Sequence, residues 1–303
     1  MSVLMKEKIV QPTQEKLSEM ARNFSPSPVG FNTLKTPHCV FPGDCLEVLN
    51  DQIPLNFIDL VFTSPPYADQ RKSNYGGIHP NKYVDWFLPR SEKILSALKP
   101  SGSFILNIKE KAMNGERHPY VLNLILGIKE QGWFWTEEYI WHKKNCYPGK
   151  WPNRFRDSWE RLLHFTKSKK FKMNQEEVMI PTGSWKESRL RNLSEIDKTK
   201  DLSKSKNGFG KNVSNWVGRE YAYPTNVLHM ATECGYKGHP AAFPVQLPTW
   251  FIKLFTDPGD MVLDPYAGSG TTSIAARDLK RRSVAIEIKE DFCQTIQERL
   301  LNE

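Results

Sequence analysis

MVLDPYAGSGTTSIAARDLKRRSVAIEI, residues 261–288, decides the fold. MVLD reads as a buried strand, and Gly268 and Gly270 permit a tight turn with close backbone approach. A helix starts at Thr271 and runs to Lys280, and SVAIEI (283–288) is the next strand. This is a βαβ unit whose glycine turn lies at the carboxyl end of a strand, where α/β sheets hold nucleotide-type cofactors. Glu287 falls near the end of the second strand, 17 residues beyond Gly270. A carboxylate placed there accepts hydrogen bonds from two ribose hydroxyls. Ser273 stands where a dinucleotide fingerprint has its third glycine, which argues against a pyrophosphate-containing cofactor. Taken alone, such a loop is equally well an ordinary strand–turn–helix junction.

The same alternation recurs upstream. FIDLVF (57–62) is a buried strand that ends at Thr63-Ser64-Pro65-Pro66, since two consecutive prolines cannot continue a ladder. Asn81 to Lys99 has helical spacing, with a kink or break expected at Pro89, and Pro100-Ser101-Gly102 stops it before the strand SFILNI (103–108). A helix over Tyr120–Gln131 and strands in WFWTEEYIWH (133–142) and WERLLHF (159–165) follow. WERLLHF reads as buried and is not assigned to ligand contact. Regular structure resumes at VLHM (227–230), with a helix near Pro248–Phe255 and a last one from Glu290. Strands alternating with helices at both ends of the chain predict an α/β fold with a doubly wound, mostly parallel sheet. The expected organisation is an N-terminal arm (1–36), a catalytic half (37–170), an insertion (171–225) and a cofactor-binding half of the same domain (226–303).

Charge is segregated. The chain of 303 residues carries a formal +8, but between Trp141 and Arg219 there are 19 Lys and Arg against 8 Asp and Glu. That stretch is therefore net +11 and the remainder net −3. Aromatics lie among the charges, and Lys143, Lys144, Arg154, Arg156, Arg189 and Arg191 are the candidate contacts to a polyanion such as DNA. LSKSKNGFGKN (202–212) has the composition of a segment that orders on binding. The five cysteines have no metal-ligand spacing, so no metal is expected. With no membrane-length apolar run and no signal-peptide core, a cytoplasmic location is expected.

TSPPY (63–67) gives the cofactor loop a chemical partner. A base amino nitrogen is a poor nucleophile because its lone pair is delocalised into the ring, so acceptors must localise that pair while a methyl donor is held in line. Ser64 Oγ and the Pro65 carbonyl can take the two amino protons, and Pro65-Pro66 keep them preorganised. Tyr67 offers a stacking face for a base extruded from the duplex.

These motifs resemble those of the amino-group DNA methyltransferases of bacterial restriction-modification systems. Ser64 to Tyr67 is similar to the catalytic [D/N/S]-P-P-[Y/F/W] loop of that family, and Tyr266 to Gly270 to its F/Y-x-G-x-G loop for S-adenosyl-L-methionine (AdoMet). The order, with catalytic loop first, basic insertion next and cofactor loop last, resembles the permuted beta class, whose insertion is the target-recognition region. The resemblance implies a Rossmann-like AdoMet fold and double-stranded DNA as substrate. It implies cofactor contacts from Thr63, Asp264, Pro265, Tyr266, Gly268, Gly270, Thr271, Thr272 and Glu287. Serine at Ser64 is similar to cytosine-N4 enzymes; adenine-N6 enzymes more often carry Asp or Asn, and that target stays open. GDCLE (43–47) resembles a family segment that implies Asp44, with Cys45 after it, beside the cofactor adenine. GHPAAFP (238–244) resembles part of the methionine pocket and implies His239, Pro240 and Phe243 there. The resemblance spans about Phe41–Gly132 and Val227–Phe292. A companion endonuclease and a monomer or homodimer are compatible with it.

Asn107 departs from the pattern, because an Asp proposed to assist proton removal stands there in cytosine-N4 members. Asparagine is no general base at neutral pH. The expectation is that Asn107 orients Ser64 and that the proton leaves directly to water. A cytosine-C5 enzyme would need a Pro-Cys nucleophile, and none occurs. An oxidoreductase is disfavoured by Ser273 and leaves TSPPY unexplained. A non-catalytic AdoMet- and DNA-binding protein, or an RNA or protein-glutamine methyltransferase, fits the basic aromatic insertion less well.

Overall fold

A computed structural model of the chain describes residues 38–69, 77–146, 152–182, 218–233 and 243–302. The N-terminal arm, the 202–212 segment, His239, Pro240, Arg189 and Arg191 lie outside these. The chain divides into two compact units, residues 1–173 with 227–303, and residues 174–226. In the second, described residues form a short antiparallel pair, β8 (Ile180–Pro181) with β9 (Tyr221–Ala222).

The first unit is built on eight strands. In chain order it contains β1 (His38–Pro42), α1 (Cys45–Asp51), β2 (Ile58–Thr63), α2 (Pro80–Ala97) and β3 (Leu98–Ile108). A hairpin of β4 (Ala112–Met113) and β5 (Glu116–Arg117) precedes α3 (Tyr120–Glu130), β6 (Phe134–Lys143) and β7 (Trp159–Thr166). The unit ends with β10 (Val227–Met230), α4 (Gln246–Phe255), β11 (Met261–Asp264), α5 (Thr271–Asp278), β12 (Arg282–Glu287) and α6 (Glu290–Asn302). The sheet order is β1-β12-β11-β2-β3-β7-β6-β10. All neighbours are parallel except at β7, which runs antiparallel to both β3 and β6.

Alternation along the central strands explains the two helical layers, because successive side chains leave a strand on opposite faces. Val284 and Ile286 join a core with Val48, Leu49, Phe87, Ile94, Leu124 and Ile128 from α1, α2 and α3. Ala285 packs the other way, with Ile274, Cys293, Ile296 and Leu300 from α5 and α6. The sheet is thus covered on both sides, as the doubly wound reading expects.

Three local expectations change. Pro89 does not end α2, which continues to Ala97, and it sits on the exposed side of the helix. Pro100-Ser101-Gly102 lies inside β3, which starts at Leu98 and absorbs the irregularity as a register shift opposite Ile58 and Leu60. Glycine is required at Gly102, where a Cβ would stand 2.8 Å from the Leu98 side chain and 2.9 Å from the Asp59 carbonyl oxygen. β1 and α1 fill residues 38–51, where the sequence pattern predicts no element; α1 is capped by Asp44, whose carboxylate accepts from the Leu46 N–H at 2.8 Å.

Candidate active site

The carboxyl ends of β1, β2, β3, β6, β11 and β12 meet at one edge of the sheet, and the antiparallel β7 brings its amino end to the same edge. A cavity of about 800 Å³ opens there, within the usual range for small-molecule sites.

One end is the glycine loop. Gly268 and Gly270 have φ of +53° and +82°, so the left-handed region is used twice in the turn. Glu287, 4% exposed, accepts from the Gly268 N–H at 2.8 Å through Oε2 and from the Lys289 N–H at 3.0 Å through Oε1. Each oxygen keeps acceptor capacity toward the cavity. Burial raises this carboxyl above the ordinary Glu range, and the two N–H groups oppose the shift. The Gly270 N–H is also spent, on the Ala267 carbonyl at 2.8 Å. A phosphate would therefore find two loop donors occupied and a carboxylate facing it, whereas ribose hydroxyls would find acceptors. The wall fits an adenosine without phosphates.

Pro265, Tyr266, Gly268, Thr271, Asp44, Cys45 and Phe243 line this cavity. Thr63, Asp264, Gly270 and Thr272 stand behind it. Asp264, 1% exposed, accepts from the hydroxyls of Thr63 at 2.7 Å and Thr272 at 2.6 Å and from the Tyr266 N–H at 3.1 Å. It ties β2, the loop and α5 together; burial raises its carboxyl while the hydroxyls pull it back. Asp44 is held at the cavity wall by Arg90 at 3.0 Å. Phe243 packs edge-on against Phe62 at 5.3 Å. Burial pushes the Cys45 thiol up to about 11, so it is an apolar wall group rather than a nucleophile.

Ser64, Pro65, Pro66 and Tyr67 line the other end. The Tyr83 hydroxyl donates to the Pro66 carbonyl at 2.9 Å, pinning the loop to α2. Ser64 Oγ donates to the Tyr67 hydroxyl at 3.1 Å, and Tyr67 donates to Glu160 Oε2 at 2.7 Å. Asn107 Nδ2 donates to the same oxygen at 3.1 Å, and Lys143 Nζ to Glu160 Oε1 at 2.5 Å. Asn107 thus points its amide nitrogen at Glu160, and its Oδ1 has no protein partner. Burial first, and the Glu160 charge second, hold the Tyr67 phenol well above its ordinary value.

Glu160 is the residue that sequence reasoning passed over. The register explains its place: Trp141 stands opposite Glu160, and Asn107 opposite Leu162, two residues on. Asn107, Trp141, Lys143 and Glu160 therefore share one face. A glutamate in an otherwise apolar strand, 5% exposed, was the available signal. Its neighbour Arg161 points to the opposite face and pairs with Glu110 and Glu138.

The candidate polyanion contacts separate. Lys143 is in the cavity, paired with Glu160 and 4.8 Å over the Trp141 ring, rather than on an open basic surface. Lys144 and Arg156 are exposed, and Arg154 lies 3.3 Å from Asp157. Phe155, between the two arginines, is 94% exposed. Among the described residues no group of His, Cys, Asp and Glu could hold a metal, and no helix is long and apolar enough to cross a membrane.

Comparison with known proteins places these features in a family. The DNA methylase profile for N6 and N4 enzymes matches residues 58–298. The Type II methyltransferase M.PvuII of Proteus hauseri is 32% identical over 277 residues, covering 84% of this chain and 80% of that protein. The solved PvuII DNA methyltransferase, described as cytosine-N4-specific, superposes with a TM-score of 0.67 at 27% identity over 88% of each chain. A DNA modification methylase of Thermus thermophilus, solved in complex with S-adenosyl-L-methionine, shares the fold at a TM-score of 0.57 and 23% identity over 87% of this chain and 94% of that one.

Proposed function

The chain belongs to the DNA methylase family, and from that premise we propose that it transfers a methyl group from AdoMet to the N4 amino group of a cytosine flipped out of double-stranded DNA. The observation that carries this reading is that the TSPPY loop and the glycine loop with Glu287 open on one cavity. AdoMet, when bound, supplies an electrophilic methyl group. Glu287 takes the ribose hydroxyls, and Asp44, Cys45, Tyr266 and Phe243 surround the rest of the donor. Ser64 Oγ and the Pro65 carbonyl accept the two amino protons and so direct the nitrogen lone pair out of the ring. Tyr67, tethered by its hydroxyl, presents its ring to the extruded base. Serine at Ser64 supports cytosine over adenine.

Lys144, Arg156 and the exposed Phe155, together with the basic insertion, meet the duplex. We place the enzyme in the cytoplasm, as a monomer or homodimer, in a restriction-modification system whose endonuclease acts as a separate protein. The deciding experiment is methylation of mixed-sequence DNA with labelled AdoMet, followed by nucleoside analysis and sequencing of the modified sites. N4-methylcytosine is the expected product. N6-methyladenine would overturn the base assignment, and no DNA-bound label would overturn the activity.

A further inference from the structure

We infer that Glu160 ends a proton relay, Ser64–Tyr67–Glu160, that removes the amino proton from the methylated base. The inference rests on the amino-methylation reading and names the proton acceptor that Asn107 cannot be. Methylation leaves a cationic nitrogen that must lose an N–H proton. Asn107 lines the cavity beside the catalytic loop, but an amide has no basic site near neutral pH. The structure supplies a carboxylate from a neighbouring strand. Glu160 enters at the amino end of β7, and its Oε2 accepts from both Asn107 Nδ2 and the Tyr67 hydroxyl.

The hydrogen bonds already run toward the acceptor. Ser64 Oγ donates to the Tyr67 oxygen at 3.1 Å, and Tyr67 donates to Glu160 Oε2 at 2.7 Å. As the target nitrogen bonds the methyl carbon, the donor's sulfur–carbon bond breaks. The cationic nitrogen then gives one N–H proton to Ser64 Oγ, Ser64 passes its own to the Tyr67 oxygen, and Tyr67 passes its own to Glu160. The nitrogen ends neutral, both hydroxyls are regenerated, and the carboxylate becomes a carboxylic acid. Direct loss to bulk water is less well served, since Glu160 is 5% exposed and the loop hydroxyls are committed to one another.

Charged and titratable groups around the acceptor come from each neighbouring element. Lys143 on β6 stands 2.5 Å from Oε1, Lys109 lines the same cavity beyond β3, and Tyr67 and Tyr120 face it from the loop and α3. Lys143 supplies a counter-charge to Oε1 and leaves Oε2 to the relay. Glu160 reaches the base only through Tyr67 and Ser64, so it is a positioning and relay residue.

Glu160→Gln keeps the size and an acceptor for Tyr67 but cannot take a proton. In the full chain, single-turnover methylation of DNA by E160Q should fall by about 100-fold, the usual worth of positioned acid–base groups. Calorimetric affinity for AdoMet should stay within about twofold, because the Glu287 wall is untouched. The wild-type rate should rise with pH through one ionisation that E160Q lacks, and Glu160→Asp should restore part of it. Without any donor bound, the Tyr67 phenol ionisation, read as the absorbance difference between wild type and Y67F, should move down in E160Q toward the ordinary tyrosine range.

An E160Q rate within about threefold of wild type, or a slow E160Q enzyme with the wild-type pH profile, would overturn the relay while amino methylation stands. Should E160Q fail to bind AdoMet, Tyr67→Phe, which cuts the relay but leaves Glu160 in place, decides instead. A Y67F pH profile identical to that of wild type would overturn it. If the wild-type protein labels no DNA at all, the underlying reading falls, and the relay with it.

Discussion

Replacing Gly270 with alanine isolates what the glycine loop demands. The residue caps α5 at a φ of +82°, and a Cβ built there would lie 2.9 Å from both Cγ1 and Cγ2 of Ile296 and 3.2 Å from its Cβ. The left-handed backbone costs an L-residue about 1–2 kcal/mol. Forcing a methyl group into a filled space costs about 1–3 kcal/mol more. Neither atom of Ile296 can swing clear, since that side chain is fully buried between β12, α5 and α6. The sum is about 2–5 kcal/mol, a large share of the 5–15 kcal/mol that typically holds a domain folded. Urea denaturation of the full chain, followed by tryptophan fluorescence, measures it. Ile296→Ala removes both clashing γ carbons, so G270A should cost about 1–3 kcal/mol less in that background, leaving the backbone strain and the milder 3.2 Å contact with the Cβ of residue 296. A G270A cost below about 0.5 kcal/mol, or two costs that simply add, would refute the reasoning.

Ser64→Ala removes both an acceptor and the first member of the relay, so it should slow single-turnover methylation by about 100-fold or more while leaving calorimetric AdoMet affinity unchanged; equal turnover would remove Ser64 from the chemistry. Stability should fall in acid, because burial foremost holds His164 down to about 3 and His38 down to about 4, both below their unfolded value of 6.5. Their contribution is complete above pH 6.5 and is lost as pH falls through that value toward 4, at about 2 kcal/mol per histidine by pH 5. Asp264 and Glu287, raised by burial, act in the opposite sense as they protonate. His164→Phe should flatten the urea-midpoint slope between pH 7 and 5 by roughly half; an unchanged slope would exclude His164. DNA affinity should fall log-linearly with salt, and neutralising Lys144 and Arg156 together should reduce the slope by about 2. A slope near zero would reject the charge-segregation argument.

The sequence by itself determined the parts whose signal is local. A strand, two glycines and a helix within residues 261–280 specify a loop because the turn needs left-handed backbone at fixed positions, and the values at Gly268 and Gly270 follow. Two prolines after FIDLVF end a strand wherever they stand, and the alternating elements fix an α/β sheet covered by helices on both faces. The tertiary structure decided which of these residues meet. Thr63 belongs to one motif and Asp264 and Thr272 to another, yet they turn to one another behind the cavity, because a buried carboxylate must find donors. Lys143 belongs by composition to the basic segment, but strand register turns it onto Glu160. Glu160 itself, 53 residues from Asn107, comes to the catalytic loop only because β7 runs against its neighbours. Strand direction depends on pairing across long sequence separations, which no local pattern encodes.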